Sequence, residues 1–346
     1  MTMTELTKKQ HIYQSWNNIG MGRRKMIKTA AVVITLGYCS LLVYQGGVTF
    51  NSQESRPSEP VTEYPIEPIT KAFTNESDRS KNITLNDIFI SVKTTKHYQY
   101  TRLPVILKTW FQLAKEQTWF FTDIDNKQFQ NQTNGHIINT NCSASHQRKH
   151  LCCKTSVEYD HFLDSGKKWF CHFDDDNYVN VPRLVTVLQN YSHQGDWYLG
   201  RTSVYKQVKL HKNKNNKVAG SFWFATGGAG YCISRSLALK MLPVASGGRF
   251  ISICERIRLP DDVTLGFVIE LLMKKNLTQV PEFHSHLEQM KLLPTETLKD
   301  QISFGYMIAD DQYNVLNVPG FDTRYDPTRF LSLHCFLFPH FKFCPE

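Results

Sequence analysis

A run of twenty-two residues without a charge, 29–50 (TAAVVITLGYCSLLVYQGGVTF), divides this 346-residue chain and limits what each side of it can fold into. Its densest part, 30–44, is short for a bilayer-crossing helix, which needs about 20 apolar residues; with its flanks to Val48 it can just span. Six cations precede it, Lys8, Lys9, Arg23, Arg24, Lys25 and Lys28, against Glu5 alone. That asymmetry puts the N-terminus in the cytoplasm. A cleaved signal peptide competes with this reading, but a 28-residue lead is long for one, and no small-x-small cleavage site stands out after Tyr44. A buried core helix would carry a polar stripe, and the run has none. The reading is a cytoplasmic tail over 1–28 and a type II transmembrane anchor over 29–50.

Residues 51–86 are interrupted by Pro57, Pro60, Pro65 and Pro68 and have little periodic apolar content. Such a segment cannot bury enough surface to fold and reads as an extended stem. One stretch is left for a sizeable core, 87–346, on the lumenal side. There, disulfides are expected among the eight cysteines beyond the stem, with a connectivity that sequence leaves open. Asn75, Asn82, Asn131, Asn141, Asn190 and Asn276 begin Asn-x-Ser/Thr triplets and are candidates for N-glycosylation. Hydrophobic content of 41% excludes a wholly disordered chain. The net charge of +9 would permit a nucleic-acid partner, but a net +5 of it sits in the tail. The basic stretch 206–217 (KQVKLHKNKNNK) lacks interleaved aromatics and reads as a solvated loop, so no nucleic acid is expected.

Within 87–346, strand-like runs at 87–92, 118–122, 169–173, 197–200 and 222–226 alternate with helical patterns at 103–114, 154–164, 181–191 and 260–273. That alternation predicts an α/β domain with a mostly parallel sheet, whose ligands bind beyond the carboxyl ends of the strands. The run WFCHF ends in such a place, directly in Asp174, Asp175 and Asp176. Three adjacent carboxylates repel one another unless they are solvated or hold a cation, and oxygen ligands suit Mn²⁺ or Mg²⁺ beside a nucleotide's phosphates. A solvated acidic turn is the alternative. FWFATGGAGYCISR (222–235) has almost no side-chain bulk over 226–230, which allows a ligand close to the backbone, or simply two chain segments close together. It has neither dinucleotide nor P-loop spacing. In LPDDVT (259–264), Asp261 and Asp262 fall in a helix's first turn, where capping accounts for both; residues adjacent on a helix point about 100° apart, so one can cap while the other faces a cleft. In FHSHLE (283–288), His284 and His286 share a face if the chain is extended, and either could offer an imidazole to a metal or serve only structure. No GxSxG elbow is present for serine chemistry.

Together SVKTTKHYQYTRL (91–103), TWFFTD (118–123), NCSASH (141–146), WFCHFDDDNYVNV (169–181), FWFATGGAGYCISRSLALKM (222–241), ERIRLPDDVTLGF (255–267) and FHSHLE resemble the Fringe family of β1,3-N-acetylglucosaminyltransferases, over a span from about Ile88 to Cys344. The resemblance implies a GT-A-type α/β fold behind the anchor and stem, in the Golgi membrane. It implies an inverting, Mn²⁺-dependent transfer of GlcNAc from UDP-GlcNAc to O-linked fucose on EGF-like repeats of Notch and its ligands, modulating Notch signalling. Asp176 matches the family's direct metal ligand and His286 an additional one, while Asp174 and Asp175 would orient ribose and coordinated water. Asp262 matches the catalytic base. Thr94, Arg102, Asp123, Gly227 and Gly228 fall in matching stretches and are expected at the nucleotide-sugar. The family's paired cysteines match Cys142 with Cys153, Cys171 with Cys232 and Cys335 with Cys344, leaving Cys152 and Cys254 over. The chain departs from the pattern after TWFFTD, where it reads IDN in place of a short Gly/acidic stretch, and the region to Asn86 shows no useful resemblance. A related β1,3-galactosyl- or glucosyltransferase would share the triplet and glycine segment. An inactive glycan-binding relative would not need the acids present at 176 and 262.

Overall fold

The computed structural model describes residues 83–211, 218–309 and 312–345; the expected tail, anchor and most of the stem, with Asn75 and Asn82, lie outside the described residues. Ile83, the first described residue, is buried. Among the described residues no single helix is long and apolar enough to cross a membrane.

A seven-stranded sheet organises the fold. Its strands are β1 (Ile88–Lys93), β2 (Thr118–Thr122), β3 (Ile137–Asn139), β4 (Trp169–Asp174), β6 (Tyr198–Gly200), β9 (Tyr231–Ser234) and β10 (Thr278–Gln279), in the order β10-β6-β9-β4-β1-β2-β3. All pairings are parallel except those of β9, which runs antiparallel to both β4 and β6. The sheet is therefore mixed but mostly parallel. Outside it, β5 (Asn177–Val179) pairs with β11 (Ser303–Gly305), and β7 (Val208–His211) with β8 (Val218–Phe222).

The helices are α1 (Gln99–Lys108), α2 (Lys127–Gln132), α3 (Arg148–Ser165), α4 (Val181–Leu188), α5 (Arg235–Ala245), α6 (Arg249–Ile257), α7 (Asp261–Gly266) and α8 (Phe330–Leu337). The pattern at 103–114 becomes the second half of α1 and a separate 3-10 turn at Trp110–Leu113. The pattern at 260–273 becomes α7 followed by a wider π-type coil, Phe267–Leu272.

Strand periodicity decides what the sheet presents. In β1, Ile88, Ile90 and Val92 enter one core, with Leu103, Trp110 and Phe120. Phe89 enters the other, with Phe121, Phe162 and Phe170. The period of two places Ser91 and Lys93 on the side of Phe89. In β4 the same alternation puts His172 and Asp174 beside them, in register Ser91↔His172 and Lys93↔Asp174. The carboxyl end of the central strand pair is thus a buried polar ladder on one sheet face, and α3 covers it with Lys154, Thr155 and Glu158.

The expected strand at 222–226 is not formed. Residues 223–226 have β-like composition, but their amides go elsewhere: Trp223 N–H to Glu270, Ala225 N–H to the Tyr198 hydroxyl, Thr226 N–H to the Arg201 carbonyl. β8 ends at Phe222, and the next strand is β9, just after the glycines. The three expected disulfides are present, and the two cysteines left over form a fourth, Cys152–Cys254, which ties α3 to α6. Asn131, Asn141, Asn190 and Asn276 are all exposed.

Candidate active site

A cleft of about 710 Å³ opens at the carboxyl ends of β1 and β4. That volume lies within the usual range for small-molecule sites, roughly 300–1,000 Å³. Its walls come from six separated stretches: the end of β1 and the segment after it, residues 144–154 at and before the start of α3, the acidic triplet at the end of β4, the glycines before β9, the start of α7, and the loop carrying His286.

Each acid of the triplet meets different neighbours. Burial opposes ionisation of Asp174, but the His172 hydrogen bond (Nε2 to Oδ1, 3.4 Å) and the charges of Lys93 and His172 outweigh it, holding the carboxyl well below its ordinary range. Asp175 accepts from Thr94 Oγ1 at 2.7 Å and from Arg102 at 2.6 Å; burial still leaves its pKa raised against these. Asp176 is pushed up to about 8 by burial and by the charge of Asp174, with Arg102, 3.3 Å away, offsetting only part. Asn177 fastens the turn: its side chain accepts from the Asp174 amide and donates to the Gly228 carbonyl at 2.8 Å.

His286 faces Asp176, with Nδ1 3.9 Å from Oδ2. Burial lowers its pKa, which favours the neutral imidazole that metals bind. Its Nδ1 and Asp176 Oδ1 are both buried and lack hydrogen-bond partners. Two orphaned ligand atoms, a carboxylate oxygen and an imidazole nitrogen, fit a divalent cation bound between them. Among the described residues no three such side chains converge. The protein therefore offers two ligands, and water and phosphate oxygens would complete the shell. His284 does not share this face: its ring is engaged by Arg201, Glu288 and Gln301 at 2.9–3.1 Å.

Asp261 and Asp262 diverge as neighbours on a helix do. Asp261 turns inward to Lys93 Nζ (2.6 Å) and Thr155 Oγ1 (2.8 Å), and these outweigh burial to keep its pKa low. Asp262 lines the cleft and accepts from the backbone N–H groups of Gly227 (3.0 Å) and Val263 (2.7 Å). Burial, then the charge of Asp261, pushes it up to about 6.

The glycines run between the two halves. A Cβ at Gly227 would lie 3.4 Å from Asp262, and one at Gly228 would lie 3.4 Å from the His286 ring. Gly230 has φ +86°, and its Cβ would meet the Phe173 ring at 2.4 Å and the His172 carbonyl at 2.9 Å. Gly230→Ala is therefore expected to destabilise the protein by about 2–3 kcal/mol, from overpacking and a left-handed backbone together. A thermal melt reads this, and an unchanged midpoint would contradict the contact.

Asp123 stands one step back from the cleft. Its carboxylate is tied to Lys154 Nζ at 2.6 Å and to the Lys96 amide at 3.0 Å, while Lys154 also donates to the Thr94 carbonyl at 2.7 Å. Lys93, Glu158, His172, Lys154 and Asn177 are absent from the sequence-derived set. Lys154 and Glu158 sit on α3 and the other three in strands, and nothing local in the sequence marks any of them as part of a site.

A family description, Fringe-like, matches residues 83–341. The chain belongs to the Fringe family of glycosyltransferases. It is 61% identical to the Fringe glycosyltransferase of Drosophila melanogaster over 75% of this chain and 64% of that one. It is 49% identical to the β-1,3-N-acetylglucosaminyltransferase radical fringe of Gallus gallus (77% and 73% of the two chains). To the lunatic fringe enzyme of Homo sapiens it is 47% identical (75% and 69%). The chain thus spans slightly less than two thirds of the fly relative and about 70% of the others. The Fringe-family match covers every wall of the cleft.

Proposed function

We propose that the chain is an inverting β1,3-N-acetylglucosaminyltransferase that moves GlcNAc from UDP-GlcNAc to the 3-hydroxyl of fucose O-linked to EGF-like repeats, acting in the Golgi lumen from a type II anchor and so modulating Notch signalling. The observation that carries this is the cleft itself: an orphaned Asp176/His286 pair on one wall, a backbone-oriented carboxylate on the other, and glycines between them. Four disulfides among the described residues support an oxidising compartment.

The donor is α-linked and the product β-linked, so one in-line displacement suffices. The fucose O3 forms a bond to C1 of GlcNAc as the C1–O bond to UDP breaks. The O3 proton passes to the Asp262 carboxylate, which Gly227 and Val263 hold in place. Thr94 and Arg102 fix Asp175 for the donor's nucleoside end. Asp176 and His286 would hold Mn²⁺, which when bound neutralises charge on the departing diphosphate. The unsubstituted backbone at Gly227 and Gly228 leaves room for the sugar.

The test is a donor panel on detergent-solubilised full chain: UDP-GlcNAc, UDP-galactose and UDP-glucose against a fucosylated EGF repeat and a free fucoside, with Mn²⁺ or with chelator. GlcNAc transfer to fucose that stops on chelation is the expected result. Preference for another donor, or full activity in chelator, would replace the proposal.

A further inference from the structure

Beneath the cleft runs a chain of buried ionic groups that the transfer reaction leaves without a role. Lys93, at the carboxyl end of β1, is 9% exposed. Its ammonium lies 2.6 Å from Asp261 Oδ2 and 3.8 Å from Glu158 Oε1. Glu158 is fully buried and accepts from Ser91 Oγ at 2.8 Å and pairs with His172 Nδ1 at 2.6 Å. Burying so much charge is costly, and a cluster of this kind persists only when each member is paired. Although Lys93 borders the cleft, its charge is already engaged by two carboxylates, which makes it poorly placed to serve a phosphate.

Asp261 immediately precedes Asp262 in the first turn of α7, so whatever anchors Asp261 sets where Asp262 points. We propose that the Lys93–Asp261 ion pair is a positioning device for the base: it pins the first turn of α7 and balances the local charge, so that Asp262 is ionised at working pH. The inference rests on Asp262 being the base. The charged groups facing Asp262 are Asp261 on its own helix, which disfavours its ionisation, and Lys93 on β1, which favours it; Tyr198 on β6 and Tyr231 on β9 are neutral hydroxyls buried nearby. The glycine segment contributes only the Gly227 N–H. The two charges pull in opposite directions, so removing either one moves the ionisation of Asp262 in a direction that loss of packing alone would not produce.

The experiment is the pH profile of kcat/KM for transfer by the full chain and three variants. Asp261→Asn keeps an oxygen for Thr155 and Lys93 but removes the negative charge; its acid limb is expected to move down by about one pH unit. Lys93→Met removes the positive charge while Thr155 still donates to Asp261; its limb is expected to move up by a similar amount. The double variant is expected to return the limb to near the wild-type position with a lower kcat, because the anchor is gone but the charges balance. The donor KM is expected to stay within about threefold throughout. A limb that is unmoved in Asp261→Asn overturns the inference even if Lys93→Met fails to fold. A tenfold rise in donor KM with the limb in place also overturns it, since Lys93 would then serve the donor. Asp262→Asn separates the two levels. If it keeps its acid limb and turnover, the base assignment itself fails. If it loses transfer while the other variants leave the limb unmoved, only the inference fails.

Discussion

Replacing Asp262 by asparagine is expected to lower kcat for GlcNAc transfer by roughly 10²–10⁴-fold, the usual contribution of a general base. The amide fills the same space, but its one oxygen can accept from only one of the Gly227 and Val263 N–H groups, which the carboxylate takes on separate oxygens, and it cannot take a proton from the fucose hydroxyl. UDP binding in the presence of Mn²⁺ should change by less than about twofold, because Thr94, Arg102 and Asp175, the residues proposed for the nucleoside end, do not touch Asp262. The native enzyme should carry an acid limb: Asp262 sits at about 6, so falling pH protonates the base and removes activity, while rising pH restores it. That limb should vanish from the residual rate of the variant. Near-normal turnover by the purified variant would eliminate Asp262 as the base. Loss of UDP affinity together with rate would instead make it a binding residue.

Breaking Cys152–Cys254 by substituting alanine at both positions is expected to cost about 4 kcal/mol of stability. The cysteines are 102 residues apart, but Cys171–Cys232 lies within that span and short-circuits 61 of them. The loop closed in the unfolded chain is therefore about 40 residues, for which the chain-entropy relation gives roughly 4 kcal/mol. Both sulfurs are fully buried in the core under α3 and α6, so a small packing loss adds to this. A domain of this size loses about 2–4 °C of Tm per kcal/mol, so the melting midpoint should fall by about 8–16 °C. If the double variant melted where the native protein does, the bridge would contribute nothing to stability.

Much of the sheet was legible because its strands are continuous apolar runs bounded by polar residues. The run 118–122 became β2 without change, and 169–173 gained only Asp174. The helical pattern at 154–164 is shorter than α3, because the helix opens on Arg148, Lys149 and His150, which carry no apolar spacing, and buries Lys154, Thr155, Ser156 and Glu158 beside Tyr159 and Phe162. β9 carries a weaker strand signal in YCIS than the bulky residues before the glycines do. In the site, acids next to a strand end and glycines without bulk are local signals, and Asp174–Asp176, Gly227, Gly228, Asp262 and His286 do meet in one cleft. The ionic group formed by Lys93, Glu158 and His172 has no local signal. It exists only once the register of β1 with β4 and the placement of α3 are known. His284 and His286 were equivalent as letters; the turn at 286 and 287 separates their surroundings.

Cys152 and Cys153 are consecutive residues with partners on opposite sides in sequence, Cys142 before them and Cys254 after. During synthesis Cys142 meets both thiols about 100 residues before Cys254 has been made, an interval of roughly 5–20 s at ordinary elongation rates. For that time nothing in the nascent chain reserves Cys152 for its later partner, and a bridge from Cys142 to the wrong neighbour closes a loop only one residue shorter. A chain that closes the wrong loop matures only by thiol–disulfide exchange once α6 arrives to claim Cys152. A cell that made this chain with little disulfide isomerase would accumulate protein whose acidic triplet and base are intact but whose α3, which backs both, is stapled one residue out of place.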